Sequence, residues 1–279
     1  LMRSSAASDV YKRQVQIRNP EDIVEELNKA YHIATTGRRG PVLIDLPMNI
    51  QRSEVENPVY DMTFEDKHTD AAAAQQAADT ILEALEQAKR PVIMLGHGVD
   101  SSFSQQKLIR FAQKRQIPII TSVLAKSVLG YDHPLNFGCI GGAYGHRYAN
   151  MIANAKSDLL LCFGISLCTR QIGTKVHEFA RGAKIIRIDI DPYNLQRDIH
   201  ENGINEVKLQ AETGAVIDCL AKAAAPDTEG ISDWLNVCTE IKENLQAVDD
   251  ATPERYPNRM IADLSDMLED TSAIAVDVG

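Results

Sequence analysis

The stretch PVIMLGHGVDSS, residues 91–102, decides the fold of this chain of 279 residues. An apolar run predicts a buried strand, and Gly96 and Gly98 follow it before a helical pattern begins. This order is typical of α/β proteins in which small residues let a phosphate approach the N–H groups of a helix. Ser101 stands where the dinucleotide fingerprint has its third glycine, so a tight turn that binds nothing is an equally open interpretation.

Strands and helices alternate on both sides of that stretch. The further predicted strands are IPIITS (117–122), SDLLLCFG (157–164), AKIIRIDID (183–191) and NEVKLQ (205–210). The predicted helices span residues 70–90, 102–116, 144–156, 174–182 and 212–224. Such alternation predicts an α/β fold with a mostly parallel sheet and helices on both faces.

The regions outside this core divide the rest of the chain. A helix (19–37) and a buried strand (40–47) predict a partial α/β unit over residues 15–52, and polar residues 53–69 form a linker. The central domain covers residues 70–225, and 226–270 is a region of linker helices. In it the polar stretch 225–232 is a second linker, and two amphipathic segments follow, around Trp234–Val248 and Asn258–Leu268. A short strand is predicted over 271–279. Residues 1–14, LMRSSAASDVYKRQ, lack this periodicity and are interpreted as a non-native junction.

The composition excludes several classes of protein. Hydrophobic residues make up 44% of the chain, and the formal net charge is −10, which argues against a nucleic acid partner. No apolar run approaches the roughly 18 residues of a membrane span, so we expect no membrane partner. The five cysteines show neither CxxC pairs nor metal-ligand spacing, which predicts reduced thiols, a cytoplasmic location and no metal site.

Two further groups of residues are candidates for ligand binding. Asp189 and Asp191 end a predicted strand, where an acid either accepts hydrogen bonds from ribose hydroxyls or caps the next turn. Arg170 lies in a glycine-flanked loop and could pair with a phosphate or simply face solvent. No nucleophile elbow, HExxH or P-loop occurs, so the sequence predicts no catalytic residue.

Several segments, taken in order, resemble the thiamine diphosphate-dependent enzymes of the acetolactate synthase family. They are ATTGRRGPVLIDLPMNIQ (34–51), RPVIMLGHGV (90–99), SVLAKSVLGYDHPLNFGCIGGAYGHRYAN (122–150), SDLLLCFGISLCTRQIG (157–173), AKIIRIDIDP (183–192) and TSAIAVDVG (271–279). The resemblance implies the end of a pyrimidine-binding domain, a whole Rossmann-like central domain, and the first strand of a diphosphate-binding domain.

The resemblance also implies an activity. The chain would be a fragment of a thiamine diphosphate- and Mg²⁺-dependent carboligase or decarboxylase, a transferase or lyase acting on small 2-oxo acids in branched-chain amino acid biosynthesis. The family's activating glutamate and its Gly-Asp-Gly…Asn-Asn Mg²⁺ motif are absent from these 279 residues, so we expect this chain alone to be inactive. The intact enzyme would be a homodimer or homotetramer.

The resemblance implies cofactor-binding positions as well. They are Gly96, His97, Gly98, Ser122, Val123, Leu124, Gly164, Ser166, Arg170, Asp189, Ile190 and Asp191 in the central domain, and Val278 and Gly279 for the diphosphate. The central domain of acetolactate synthases holds FAD. The family loop Arg-Phe-Asp-Asp-Arg is replaced here by residues 166–170, SLCTR, which leaves FAD, an ADP-like ligand or no ligand as alternatives.

Two other classes of function remain open at this stage. The glycine turns and strand-end acids would also serve a stand-alone FAD-, NAD- or ADP-binding domain without catalysis. A degenerate structural or regulatory subunit is the third alternative. The predicted strand over 271–279 favours the enzyme family, because a stand-alone domain has no use for it.

Overall fold

The computed structural model describes most of the chain from residue 11 to residue 275. Outside the described residues lie 1–10, 57, 59, 61–63, 65–69, 100–101, 143, 201–202, 224–228, 252–256, 270–271, 273 and 276–279. Side chains are also not described for residues 102–103, 229–232, 248–250 and 257–259.

The described residues contain strands and helices in alternation. The strands are β1 (Arg13–Gln16), β2 (Val42–Asp45), β3 (Pro91–Leu95), β4 (Ile119–Thr121), β5 (Asn136–Cys139), β6 (Leu159–Phe163), β7 (Lys184–Asp189) and β8 (Glu206–Gln210). The α-helices are α1 (Ile23–Thr35), α2 (Met48–Gln51), α3 (Ala71–Gln87), α4 (Ser102–Arg115), α5 (Arg147–Asn150), α6 (Thr169–Ile172), α7 (Pro192–Gln196), α8 (Thr213–Lys222), α9 (Glu229–Asp250) and α10 (Pro257–Asp266). A π-helix, Met151–Lys156, continues α5.

Strands β3 to β8 form one sheet in the order β5-β4-β3-β6-β7-β8, and all its pairs are parallel. The chain enters at the middle of the sheet, builds one half outward, and returns to the middle to build the other. This is the doubly wound order, in which ligands bind where the winding reverses, here between β3 and β6. The predicted α/β fold with a mostly parallel sheet is confirmed.

Two apolar layers sandwich this sheet, which explains why its strands read as continuous apolar runs. Ile93 and Leu95 face a layer built with α3, α4 and α8. Val92 and Met94 face a second layer built with α5, the π-helix and α9. Trp234 of α9 donates its indole N–H to the carbonyl oxygen of Pro91 at 3.0 Å, which fixes α9 against the start of β3.

A smaller unit precedes this sheet. Strands β1 and β2 pair in parallel, and α1 connects them as a crossover. Arg13 and Gln14 lie in β1, opposite Val42 and Leu43 of β2. These two residues therefore form part of a strand, although they belong to the stretch 1–14 that is interpreted as a non-native junction; that interpretation stays a prediction. Strand β1, with the sequence RQVQ, is partly buried and shows little alternation of apolar and polar residues. Residues 1–10 lie outside the described part.

Two elements of the central region differ from the sequence predictions. Strand β5 was missed because its sequence, NFGC, carries asparagine and glycine, which are rare in strands. The predicted helix over 174–182 is a single 3-10 turn, Val176–Glu178. The backbone of Ala180 takes a φ of +46°, which no α-helix can accommodate.

Two predictions near the end of the chain also differ. Helix α9 begins at Glu229, inside the stretch 225–232 that was predicted as a linker. Of the strand predicted over 271–279, residues 272, 274 and 275 are described and belong to no strand. Its other residues lie outside the described part. No helix within the described ranges has the length and apolar character to cross a membrane.

Candidate functional site

A cavity of about 670 Å³ opens at the carboxyl edge of the sheet, above the point between β3 and β6 where the winding reverses. Its size lies within the range of small-molecule and cofactor sites. It is lined by Thr35, Thr36, Gly37, Arg38, Arg39, Gly96, His97, Gly98, Val99, Ser104, Ser122, Leu124, Gly164, Ile165, Ser166, Gln171, Asp189, Ile190, Asn194, Glu212, Thr213 and Gly214.

Most predicted cofactor-binding residues meet at this cavity. Nine of them line it, namely Gly96, His97, Gly98, Ser122, Leu124, Gly164, Ser166, Asp189 and Ile190. Val123, Arg170 and Asp191 do not line it. Val278 and Gly279 lie outside the described residues. The fold thus gathers residues that follow four strands of the sheet into one site.

The glycines of the turn after β3 pack against the loop after β6. A Cβ atom on Gly96 would lie 2.0 Å from the carbonyl oxygen of Gly164, and one on Gly98 would lie 2.8 Å from its Cα. Gly164 itself has a φ of +54°. The structure therefore explains these glycines by the close approach of two loops, rather than by room for a ligand alone.

The backbone N–H groups of this turn are already used within the chain. Gly96 donates to the oxygen of Phe163 at 2.9 Å, and Gly98 donates to that of Gly164 at 3.1 Å. Gly164 donates to the oxygen of Ile188 at 2.9 Å. These three donors hold β3, β6 and β7 together and do not form a phosphate cradle.

The acids at the end of β7 organise the next turn. Asp189 accepts a hydrogen bond from the backbone of Asp191 at 2.9 Å and another from the side-chain amide of Asn194 at 3.2 Å. Asp191 caps α7 by accepting from the N–H of Tyr193 at 2.9 Å, and it pairs with Arg38. Capping, one of the two interpretations of the sequence, is therefore present. Asp189 also faces the cavity.

Among the described residues, the acids that line the cavity lie over one half of it. In a dinucleotide site of the usual orientation, an acid follows the second strand of the first half and binds the ribose. Here Ser122 follows β4, whereas the acids of the cavity, Asp189 and Glu212, follow β7 and β8. A ribose would accordingly find its carboxylate partner on the β7–β8 side.

The loop after β6 is held by an arginine from another part of the chain. Arg197 donates to the carbonyl oxygens of Ser166 at 2.8 Å and Leu167 at 2.6 Å. Leu167 is fully buried, with a φ of +49°. Arg170 is exposed and does not line the cavity, and its pairing with a phosphate stays a prediction. This loop instead presents Gln171.

One part of the cavity lining comes from the smaller unit and was not predicted from the sequence. Residues 35–39 connect α1 to β2, and all of them line the cavity. The sequence marked them only as a helix end, because nothing local reveals which surface they pack against. Glu212 was also missed, although a helix cap after a strand was a usable signal. Its carboxylate accepts from the N–H groups of Gly214 at 3.0 Å and Ala215 at 2.8 Å.

The fold and the cavity define a doubly wound α/β domain with a cavity where the winding reverses. Residues 78–220 match the protein family described as thiamine pyrophosphate enzyme, central domain. The chain belongs to this family, and the predicted resemblance is confirmed.

The similar proteins are named as acetolactate synthases and as a glyoxylate carboligase. The chain is 32% identical to the probable acetolactate synthase large subunit of Methanocaldococcus jannaschii, over 97% of the chain and 46% of that protein. It is 32% identical to the acetolactate synthase large subunit of Corynebacterium glutamicum, over 88% of the chain and 38% of that protein. It is 34% identical to the glyoxylate carboligase of Escherichia coli O157:H7, over 68% of the chain and 32% of that protein. The chain thus spans less than half the length of these relatives.

Proposed function

We propose that this chain supplies the central domain of a thiamine diphosphate-dependent carboligase that acts on small 2-oxo acids. The family match and the names of the relatives support this. The division into domains over 15–52, 70–225 and 271–279 is part of the same proposal. So are assembly into a homodimer or homotetramer and a cytoplasmic location.

The described residues do not form a complete site for thiamine diphosphate and Mg²⁺. When bound, thiamine diphosphate supplies the carbon nucleophile for attack on a 2-oxo acid. Within the described part of the chain, no group of three histidine, cysteine or acidic side chains could hold a metal ion. The two residues expected near the diphosphate, Val278 and Gly279, lie outside it.

We further propose that the central cavity binds a nucleotide with an adenosine diphosphate portion. The observation that carries this is the cavity of about 670 Å³ at the reversal between β3 and β6. Asp189 and Glu212 offer carboxylates for the ribose hydroxyls on the β7–β8 side. FAD and ADP both contain this portion, so the site fits either of them.

The experiment is a titration of the full chain with ADP, FAD and FMN by calorimetry. We expect ADP and FAD to compete for one site. FMN, which carries a flavin and a phosphate but no adenosine, should not bind. Absence of binding by both ADP and FAD would contradict the proposal.

A variant pair locates the bound nucleotide. Asp189→Asn should weaken ADP binding about tenfold, since a charged acceptor for the ribose hydroxyls becomes a neutral one. Asp218→Asn is the control, because Asp218 of α8 pairs with Lys107 of α4 and does not line the cavity. Equal ADP affinity in both variants would place the nucleotide elsewhere.

A further inference from the structure

A second, smaller cavity lies between α4 and α8, and we call it the basic groove. It has a volume of about 180 Å³ and is lined by Lys107, Arg110, Phe111, Lys114 and Arg115 of α4 and by Leu220, Ala221 and Ala223 at the end of α8. Ser104 and Thr213, at the beginnings of the same helices, line the central cavity. Arg115 lies about 16 Å further along α4 than Ser104, so the two cavities are separate sites.

The face of α4 that lines the basic groove is cationic. Its five lining residues follow the spacing i, i+3, i+4, i+7 and i+8, which places them on one side of the helix. Four of these five residues are lysine or arginine, and the helix sequence SFSQQKLIRFAQKR contains no acid. Leu108 and Ala112 belong to the apolar core instead. This concentration of positive charge contrasts with the net charge of −10 of the whole chain.

Two of the four cations interact with acids nearby. Lys107 pairs with Asp218 of α8 at 2.7 Å. The guanidinium of Arg115 lies 4.8 Å from the centre of the Phe111 ring, and only 7% of this arginine is exposed. Burial lowers the pKa of Arg115 below its usual range, and the attraction of Glu86 offsets this only in part. An anion beside Arg115 would therefore meet a positive charge that is poorly screened by water.

The other two cations, Arg110 and Lys114, are exposed. Within the described part of the chain, no hydrogen bond or ion pair engages their side chains. They are one turn apart on α4, so about 5–6 Å separates their Cβ atoms. The carboxyl ends of α4 and α8 carry roughly one negative charge together. The four cations exceed this charge even when Asp218 and Glu86 are added to it, so positive charge is left over for a ligand.

We propose that the basic groove binds a small anion with two or more phosphate groups. Its volume is below the range of cofactor-sized sites, so the phosphates rather than a nucleoside decide the fit. Arg110 offers paired hydrogen bonds to one phosphate, and Lys114 offers a point charge to the next. The bound anion joins α4 to α8 at the ends opposite the central cavity. This inference does not depend on the nucleotide proposed for that cavity.

The first test is a calorimetric titration of the full chain with inorganic diphosphate. The buffer has low ionic strength and no Mg²⁺, because salt screens exposed charges. Arg110→Gln/Lys114→Gln should weaken binding at least tenfold, since both uncommitted cations are lost. The control is Arg181→Gln/Lys184→Gln, which also removes one arginine and one lysine. Both are exposed and line neither cavity, so this variant should bind diphosphate like the unmodified chain.

The other results of this titration would each overturn the inference. If the unmodified chain does not bind diphosphate, the cations serve only the carboxyl ends of α4 and α8. If both double variants weaken binding alike, the anion responds to net charge and not to the basic groove. If Arg110→Gln/Lys114→Gln binds as tightly as the unmodified chain, the anion lies elsewhere. Circular dichroism of each variant checks that it is folded.

The second test uses stability as its readout. An anion that binds only the folded chain raises the midpoint of urea unfolding. Diphosphate should raise this midpoint for the unmodified chain and for Arg181→Gln/Lys184→Gln, but not for Arg110→Gln/Lys114→Gln. Sodium chloride at the same ionic strength should act equally on all three proteins. Equal effects of diphosphate on all three would reveal a general salt effect and contradict a site in the basic groove.

Discussion

Gly96 illustrates how a single residue fixes the geometry of the site. Its Cβ position is filled by the carbonyl oxygen of Gly164, 2.0 Å away, and this backbone atom cannot turn aside like a side chain. We expect Gly96→Ala to lower the free energy of unfolding by about 1–3 kcal/mol, because the loops after β3 and β6 must separate. Urea denaturation measures this.

Gly130 supplies the control for that prediction. A Cβ atom on Gly130 would meet nothing within 4 Å, so Gly130→Ala should change the free energy of unfolding by much less. Similar losses for the two variants would show that glycine-to-alanine replacement is costly for a reason other than the contact between loops.

Cys162 gives stability a dependence on pH. Burial raises the pKa of its thiol from 9.0 to about 12. Above pH 9 the unfolded chain loses this proton while the folded chain keeps it, so stability falls as pH rises from about 9 towards 12. We expect the unmodified chain to lose about 1 kcal/mol more than Cys162→Ala between pH 8 and pH 10.

Urea denaturation at the two pH values gives the difference directly. The comparison of losses matters rather than the stabilities themselves, because Cys162→Ala also leaves a small void at both pH values. Parallel losses in the two proteins would show that the thiol of Cys162 does not contribute to the pH dependence.

A buried ion pair joins β7 and β8 and also contacts the chain after β7. Arg187 of β7 and Glu206 of β8 are 2.7 Å apart, with exposed side-chain fractions of 2% and 0%. Arg187 also donates to the carbonyl oxygens of Asn194 and Arg197. Asn194 lines the cavity and Arg197 holds the loop after β6, so this ion pair stabilises residues that form the site.

Removal of one member of this pair should destabilise the fold strongly. Arg187→Met leaves the carboxylate of Glu206 buried without its partner, so we expect a loss of about 3–5 kcal/mol in the free energy of unfolding. The double variant Arg187→Met/Glu206→Met should be more stable than the single one. Lys107→Met is the control, because its pair with Asp218 is more than 40% exposed on both sides and should contribute less than about 1 kcal/mol. Additive losses in the double variant would contradict this account.

The elements that the sequence predicted correctly share a physical origin. Strands β3, β6 and β7 are covered on both faces, so their sequences are nearly continuous apolar runs. Strand β5 lies at the edge of the sheet, where its pairing with β4 shifts register, and fewer apolar residues are required. Positions after strands such as Gly96 and Asp189 could be predicted to converge, because parallel strands end at one edge.

At the scale of the whole molecule, the cavity depends on contacts that no local pattern encodes. Residues 35–39 and residues 96–98 are separated by some 60 positions in the sequence, yet they line the same cavity. The ion pair of Arg38 and Asp191 spans an even longer separation. Such packing between units follows from their complementary surfaces, so the sequence alone could predict one side of the site and not the other.

Activity also depends on the whole molecule. Relatives such as the acetolactate synthase large subunit of Corynebacterium glutamicum are more than twice as long as the matched part of this chain. The sequence contains no Gly-Asp-Gly motif, and the described residues hold no group of three metal-ligating side chains. We therefore expect these 279 residues alone, given pyruvate, thiamine diphosphate and Mg²⁺, to release no CO₂ above the blank. The Corynebacterium glutamicum enzyme is the positive control of the assay. Turnover by the purified chain would contradict this expectation and would mean that these 279 residues form a complete cofactor site.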